Sequence, residues 1–452
     1  MGTVHAKSVD PEDTEEEKAR VDLQGLKAQV QRVHVSGLGR TKDDLIIFSV
    51  RDIFEARDFQ SVILKIHEAK TKLAGLGCFK AVDVVIDTYD GADAMQDGIQ
   101  VTFEVEELNL IGLRVNTAIG LNEGILSGGG ALRNVFGRGE EINANYSHGT
   151  KKTTSFAINF VKPFHNECKT KFSSSIYQSC VEAGWAGYKE VDRGLLLGLA
   201  FSAAPNVTQQ LVLDTAWRQL SCLSKSTAFA IREHCGHTLK SAIRHEISID
   251  TRDDNIFPSD GQLMKMKNEI AGFGGNIGYI KNEASWQSNV PLPFNVVAQA
   301  SLSAGHLFAL NSKGTSICDR FVMGGPMTMR GFQLGGIGPH SDTCAVGAEA
   351  FWCGGVHLYT PLPLLTQGTF TDRFRVHMWA NIGNIGDWKM DGSAREKLAT
   401  LVRDMRLSYG AGIALNVAGL ARVELNYCLP LLSKRGDKLQ HGVQFGIAAD
   451  VL

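Results

Sequence analysis

The dominant pattern in this chain is a period-two alternation of apolar and polar residues, sustained over long segments. Leu407, Tyr409, Ala411, Ile413, Leu415 and Val417 run down one face against Ser408, Gly410, Gly412, Ala414 and Asn416. A short turn at Ala418-Gly419 leads into Ala421, Val423, Leu425, Tyr427 and Leu429 against Arg422, Glu424, Asn426 and Cys428. Ile142, Ala144 and Tyr146 likewise oppose Glu141, Asn143, Asn145 and Ser147, and Phe156, Ile158 and Phe160 oppose Ser155, Ala157 and Asn159. Such alternation predicts strands with two unlike faces. Soluble strands average ~5–6 residues, whereas a tilted strand crossing a bilayer needs ~9–11, and these segments match the longer class. At roughly ten residues per strand and about as many per loop, residues 111–452 hold about sixteen or seventeen strands; an even count is usual, which favours sixteen.

The N-terminal part reads differently. Residues 1–28 are polar and acidic without apolar periodicity and predict a disordered tail. Val33 and Val35 alternate toward a turn at Gly37 and Gly39, and Thr41 stands before a helical segment with Asp43 and Asp44 in its first turn. Phe59, Val62, Ile63, Ile66, Ala69, Leu73 and Leu76 recur at three- and four-residue steps, predicting an amphipathic helix. Val82, Val84 and Ile86, a turn at Asp90-Gly91, and Ile99, Val101, Phe103 and Val105 then predict two strands. Residues 29–107 thus form a small α+β domain ahead of the long-stranded region.

Composition narrows the function classes. The 452 residues carry 46 Lys plus Arg against 48 Asp plus Glu, a formal net charge of -2, and nothing here supplies the basic surface that nucleic acid demands. The uncharged run from Ser288 to Ser312 is broken by Asn289, Asn295, Gln299 and His306, so no stretch reaches the ~18–20 apolar residues of a spanning helix. A transmembrane barrel escapes that test because its lipid-facing and lumen-facing residues alternate. Asp10, Glu12, Asp13, Glu15, Glu16 and Glu17 contradict a secretory signal and a mitochondrial presequence, and Ala6 stands where myristoylation needs Ser or Thr. Nine scattered cysteines without C-x-x-C read as a reducing compartment.

Enzymatic motifs find no foothold. Gly128-Gly129-Gly130 has strand periodicity on both sides and no following Gly-Lys-Ser/Thr. His234, Cys235 and His237 lack further ligands at metal spacing, and no G-x-S-x-G occurs. The segment from Asp319 to Phe332 is distinctive, placing Arg330, Gly331 and Phe332 in a glycine-rich stretch between two strands. By spacing alone it reads either as a surface loop with a solvated arginine or as a functional element.

That Arg-Gly-Phe loop, following Gly324-Gly325-Pro326, resembles the signature of the outer-membrane barrel-assembly superfamily, whose members join POTRA domains to a sixteen-stranded barrel. Gly77-Cys78-Phe79 before the strand at Val82, the turn Asn134-Val135-Phe136-Gly137-Arg138-Gly139, and the stretch from Glu349 through Gly354-Gly355 to Pro363 also resemble that family. The likeness runs from residue 29 nearly to the end and is closest to the core barrel subunits of the mitochondrial sorting and assembly machinery. It implies an all-β membrane barrel of about 16 antiparallel transmembrane strands over 111–452, with an N-terminal α+β POTRA domain. It also implies a loop arginine held inside the barrel. By parity Phe374, Val376, Met378, Ala380 and Ile382 face lipid, so Trp379, Asn381 and Gly383 point inward, and Glu349, Phe351 and His357 share an inward face. Glu349 is the nearest candidate carboxylate for Arg330, with Asn381 and His357 standing where the resemblance to the bacterial pattern leads one to expect acids.

The resemblance further implies an insertase of β-barrel precursors in the mitochondrial outer membrane, working without cofactor or covalent chemistry at a lateral gate between a first strand near Leu113–Leu121 and a last strand Val443–Leu452. That last strand carries Gln444, Gly446 and Val451. Implied partners are metaxin-type accessory subunits, barrel precursors such as the voltage-dependent anion channel and the translocase pore, the inner-membrane contact-site (MICOS) machinery with its role in cristae organisation, and the lipid bilayer. The alternatives are a passive or polypeptide-conducting outer-membrane pore and a soluble multidomain β enzyme.

Overall fold

A computed structural model describes residues 26–95, 97–119, 124–150, 153–164, 169–310, 314–362, 371–387, 393, 395–396, 399, 402–417 and 421–448. The chain divides into two compact units, Met1–Leu108 and Asn109–Leu452. Most of the predicted acidic tail, and Val451, lie outside the described residues.

The first unit contains β1 (Gln29–Ser36), α1 (Asp43–Val50), α2 (Phe59–Gly75), β2 (Phe79–Thr88) and β3 (Gly98–Glu107). The sheet order is β1-β3-β2, with β1 parallel and β2 antiparallel to the central β3. Val62, Ile66, Ala69 and Leu73 bury one stripe of α2 against Val82, Val101 and Phe103. Ile63, which the spacing places on that stripe, is instead exposed, because the buried seam follows 62, 66, 69 and 73 and leaves its neighbour a third of a turn away.

Thr41 precedes α1 and ties it to the sheet. Its hydroxyl donates to Glu107 Oε1 at 2.7 Å, and the same oxygen accepts from the backbone N–H groups of Gly39, Arg40 and Thr41 at 3.1, 3.0 and 2.9 Å. Burial alone would raise the Glu107 pKa, but the donors from Thr41, Gly39 and Arg40 outweigh it and hold the carboxyl down at about 2. A depressed carboxylate stabilises the fold above its unfolded pKa, and that stability disappears as pH falls through the folded one. The first unit is therefore expected to lose roughly 2–3 kcal/mol between about pH 5 and pH 2. Pulse proteolysis of the full chain in urea measures this, and Glu107→Gln should flatten the pH dependence; an unchanged slope would contradict the assignment.

The second unit is a sixteen-stranded antiparallel sheet. Its strands are β4 (Ile111–Ile119), β5 (Gly124–Arg133), β6 (Glu141–Gly149), β7 (Thr154–Pro163), β8 (Lys171–Ala183), β9 (Tyr188–Ala204), β10 (Val207–Cys222), β11 (Gly236–Asp250), β12 (Gly261–Ala271), β13 (Tyr279–Leu292) and β14 (Val296–Ala309). A two-residue hairpin, β15 (His340–Ser341) and β16 (Cys344–Ala345), lies in the following loop. The sheet resumes with β17 (Ala350–Pro361), β18 (Phe374–Gly386), β19 (Arg406–Val417), β20 (Ala421–Leu432) and β21 (Gly442–Ala448). β14 pairs directly with β17, so the loop between them is excluded from the wall. β4 and β21 stand at the two ends of the strand order.

The wall is polar inside and apolar outside. On β20, Glu424 and Asn426 are 0% and 1% exposed, whereas Leu425 and Tyr427 are 51% and 57% exposed. On β18, His377, Trp379 and Asn381 are buried while Met378 is exposed, as the sequence parity predicts. Water would reward the opposite arrangement; a hydrocarbon solvent outside rewards this one. No described helix is long and apolar enough to cross a membrane. Strands near the middle of the order are longer than the roughly ten residues expected from bilayer crossing, with 17 in β9 and 16 in β10.

Candidate functional site

The loop between β14 and β17 packs on the inner face of the sheet. Phe321, Met323, Met329, Phe332 and Ile337 are at most 6% exposed and form one apolar cluster with Ala242, Ala271, Tyr279, Leu307 and Ile385 of the wall. Burying these side chains supplies the general driving force for seating the loop; its polar contacts decide where it sits.

Arg330 is the first such contact. It is 2% exposed, and its Nε and Nη2 both donate to Oε2 of Glu424, at 3.1 and 2.7 Å. Its guanidinium also lies over the Trp379 ring, 5.5 Å from the centroid. Glu424 in turn contacts Arg422 Nε at 2.8 Å and accepts from Asn426 Nδ2 at 2.9 Å. One carboxylate thus balances two guanidinium groups in a water-poor interior, where neither charge could be tolerated alone.

The carboxylate is not Glu349. The backbone N–H of Glu349 donates to Asp387 Oδ1 at 2.8 Å, at the end of the wall, whereas β20 brings Glu424 under the loop. Asn381 shares the inward face but makes no hydrogen bond to Arg330 among the described residues, and its Oδ1 is buried without a protein donor. Gly383 sits opposite Cys353 on one side and Arg406 on the other, away from the arginine. His357 forms a three-cornered cluster of nearly parallel rings with Tyr359 and His377, at centroid separations of 5.7 and 5.8 Å. Of the four candidate loop partners, the structure brings only Trp379 to Arg330.

Gly331 and Phe332 reach the last strand. Gln444 of β21 accepts from the Gly331 N–H at 3.1 Å and donates to the Phe332 carbonyl at 2.9 Å. Gly331 adopts φ +84°, in the left-handed region that favours glycine, and a Cβ there would lie 3.3 Å from Ser408 Cβ. Gly446 lies where the loop meets the last strand. A Cβ at that position would stand 2.8 Å from Pro326 Cβ and 3.0 Å from Met327 Sδ, so the glycine is what lets the loop approach β21. The connection preceding β21 adds backbone bonds, from Gln333 to Lys438, from Lys438 to Gly336 and from Gln440 to Gly331.

A second polar anchor lies at the start of the loop. Asp319, 4% exposed, accepts at Oδ1 from Arg218 Nη1 at 2.8 Å and from the Tyr279 hydroxyl at 3.0 Å. Lys240 bridges toward the same group, 2.5 Å from Glu269 and 4.0 Å from Asp319. Sequence reasoning passes over Asp319, Arg218 and Glu424. For Glu424 a signal exists, since the alternation on its strand already puts it opposite the apolar face; for Asp319 and Arg218, 101 residues apart, none does.

Comparison with known proteins gives a consistent result. Residues 134–450 match the Omp85 superfamily domain. The chain is 41% identical to the sorting and assembly machinery component 50 homolog of Xenopus tropicalis over 464 aligned positions, covering 99% of both chains. It is 40% identical to the Homo sapiens homolog with the same coverage, and 36% identical to a SAM50-like protein of Drosophila melanogaster over 95% of this chain and 96% of the other. Among solved structures, BamA from Haemophilus ducreyi lacking POTRA domains 1-3 superposes with a TM-score of 0.76 at 17% identity, over 93% of this chain and 84% of that one, which shows a shared fold.

Proposed function

The chain belongs to the Omp85 superfamily, among the sorting and assembly machinery component 50 homologues, and from that premise we propose that it assembles β-barrel precursors into the mitochondrial outer membrane by strand addition at the seam between β4 and β21. The observation that carries this reading is the attachment of β21 to the inner loop through Gln444 and Gly446. A strand at the end of the sheet order offers unpaired backbone groups, and a precursor strand that pairs with them never exposes its own to hydrocarbon. A side-chain contact that holds such a strand from within can hold the seam closed and release it. The work is noncovalent and requires no cofactor.

Residues 29–107 serve in this reading as a POTRA domain that receives clients, with β1 and β2 as the sheet edges open to peptide addition. Metaxin-type subunits, the precursors themselves and the inner-membrane contact-site (MICOS) machinery, through which the chain contributes to cristae organisation, are the proposed partners. The packed loop on the inner face argues against an open passive pore. The test is to introduce cysteines into β4 and β21 and bridge them in the folded, membrane-inserted protein. Client assembly after depletion of the native chain is expected to fall at least about tenfold with the bridge in place and to recover on reduction. Undiminished assembly across a bridged seam would favour conduction through the lumen.

A further inference from the structure

We propose that Asp319 is a positioning residue that fixes the inner loop to the wall, so that during client addition β21 leaves the loop and the loop does not travel with the strand. This deepens the preceding reading and rests on it for the client step.

The geometry is that of a two-ended strut. At one end Asp319 is held by Arg218 of β10 and Tyr279 of β13, and these are tied through Lys240 of β11 and Glu269 of β12, the single Tyr279 hydroxyl proton being shared between Glu269 at 2.6 Å and Asp319 at 3.0 Å. Four successive strands therefore share one buried network. At the other end the loop meets Glu424 of β20 and Gln444 of β21. Between the ends it is packed, with Phe321 against Phe351 at a ring separation of 4.7 Å. The attachments are unequal in strength. Asp319 and Arg330 each make a buried ion pair, to Arg218 of β10 and Glu424 of β20, whereas β21 itself is held by neutral hydrogen bonds from one amide and by the contact at Gly446, and the connection before it by neutral backbone bonds. Breaking a buried ion pair leaves a charge without compensation, and breaking a neutral contact does not, so the β21 end yields first. Without Asp319 the order reverses: Arg330 and Gln444 become the stronger attachment, and the loop follows the terminal strands.

Two photocrosslinks in the full membrane-inserted chain test this. An azidophenylalanine at Phe321 reports the wall, through capture of β14 or β17. A diazirine side chain at Met327 reports the last strand, and is read with and without an arrested barrel precursor. In Asp319→Asn, capture from Phe321 is expected to fall at least about fivefold, while Asp319→Glu retains most of it. On client engagement, capture of β21 from Met327 should drop in the native chain and persist in Asp319→Asn. Folding is checked by heat-modifiable migration; if Asp319→Asn does not fold, Tyr279→Phe removes one donor and carries the same readouts. Unchanged capture from Phe321, or an equal drop of Met327 capture in both chains, would overturn the proposal. If Met327 capture ignores the client even in the native chain, the seam reading fails, and the client-free Phe321 capture still decides the anchor.

Discussion

Glu424→Ala is expected to be more damaging than any single change in the loop itself, costing about 3–5 kcal/mol of barrel stability and reducing client assembly at least as far as Arg330→Ala. The substitution strips from two nearly buried guanidiniums, those of Arg330 and Arg422, the one carboxylate that pairs with them among the described residues. Arg330→Lys should impair assembly nearly as much as Arg330→Ala, because an ammonium cannot reproduce the Nε and Nη2 fork that meets Glu424. The double substitution Arg330→Ala with Glu424→Ala should cost much less than the sum of its parts, since removing both partners leaves fewer uncompensated charges. Asn381→Ala, by contrast, should add to Arg330→Ala, reversing what the family likeness implies for that position. Thermal migration shifts and client assembly rates measure both cycles; additive effects of Arg330 and Glu424 would dissolve the pair.

The second large effect is expected at β21. Gln444→Leu leaves the Gly331 N–H and the Phe332 carbonyl buried without their partner, at about 1–3 kcal/mol each. Gly446→Val forces a branched side chain into the space occupied by Pro326 and Met327, and a proline ring cannot rotate away. Both changes should part the strand from the loop; Gln444→Leu removes no atom of the ion pair, whereas Gly446 stands opposite Glu424 in the β20–β21 register, so its valine also crowds that carboxylate. The native thiol of Cys428, fully buried and 3.5 Å from the Gln444 amide oxygen, is a built-in reporter. Its maleimide labelling, read by peptide mass spectrometry, is expected to rise several-fold in either variant, with client assembly slowed in parallel. Labelling that stays at the native level would mean that the strand is held by something other than the loop.

Period-two alternation placed and oriented β6, β7, β18, β19 and β20, while the strands between β7 and β17 entered only through the count that chain length allows. The faces of β18 and β20 follow directly from which residues are apolar, because a strand between hydrocarbon and lumen has no freedom to turn over without exposing every side chain to the wrong solvent. The helix of the first unit was equally legible from its spacing, and the Arg330–Gly331–Phe332 segment announced itself by composition and by its likeness to a family. Local chemistry was incomplete where a short polar residue reaches beyond its own segment. Thr41 stands before α1, and its hydroxyl donates to a carboxylate on β3 that is distant in sequence.

What the sequence by itself determined is therefore the kind of elements and the faces of the strands it placed, which depend on neighbours within a few residues; the inner loop was legible only through the likeness to a family. Which carboxylate meets Arg330, and that β21 rather than the middle of the wall receives Gly331 and Phe332, was decided by the tertiary structure alone. Glu349 is close to Arg330 along the chain and Glu424 is 94 residues away, but strand order and register bring β20 beneath the loop and leave Glu349 at the rim. Ion pairs in a barrel lumen depend on distance in space, and that distance is fixed by the order and register of sixteen strands, which no local pattern encodes.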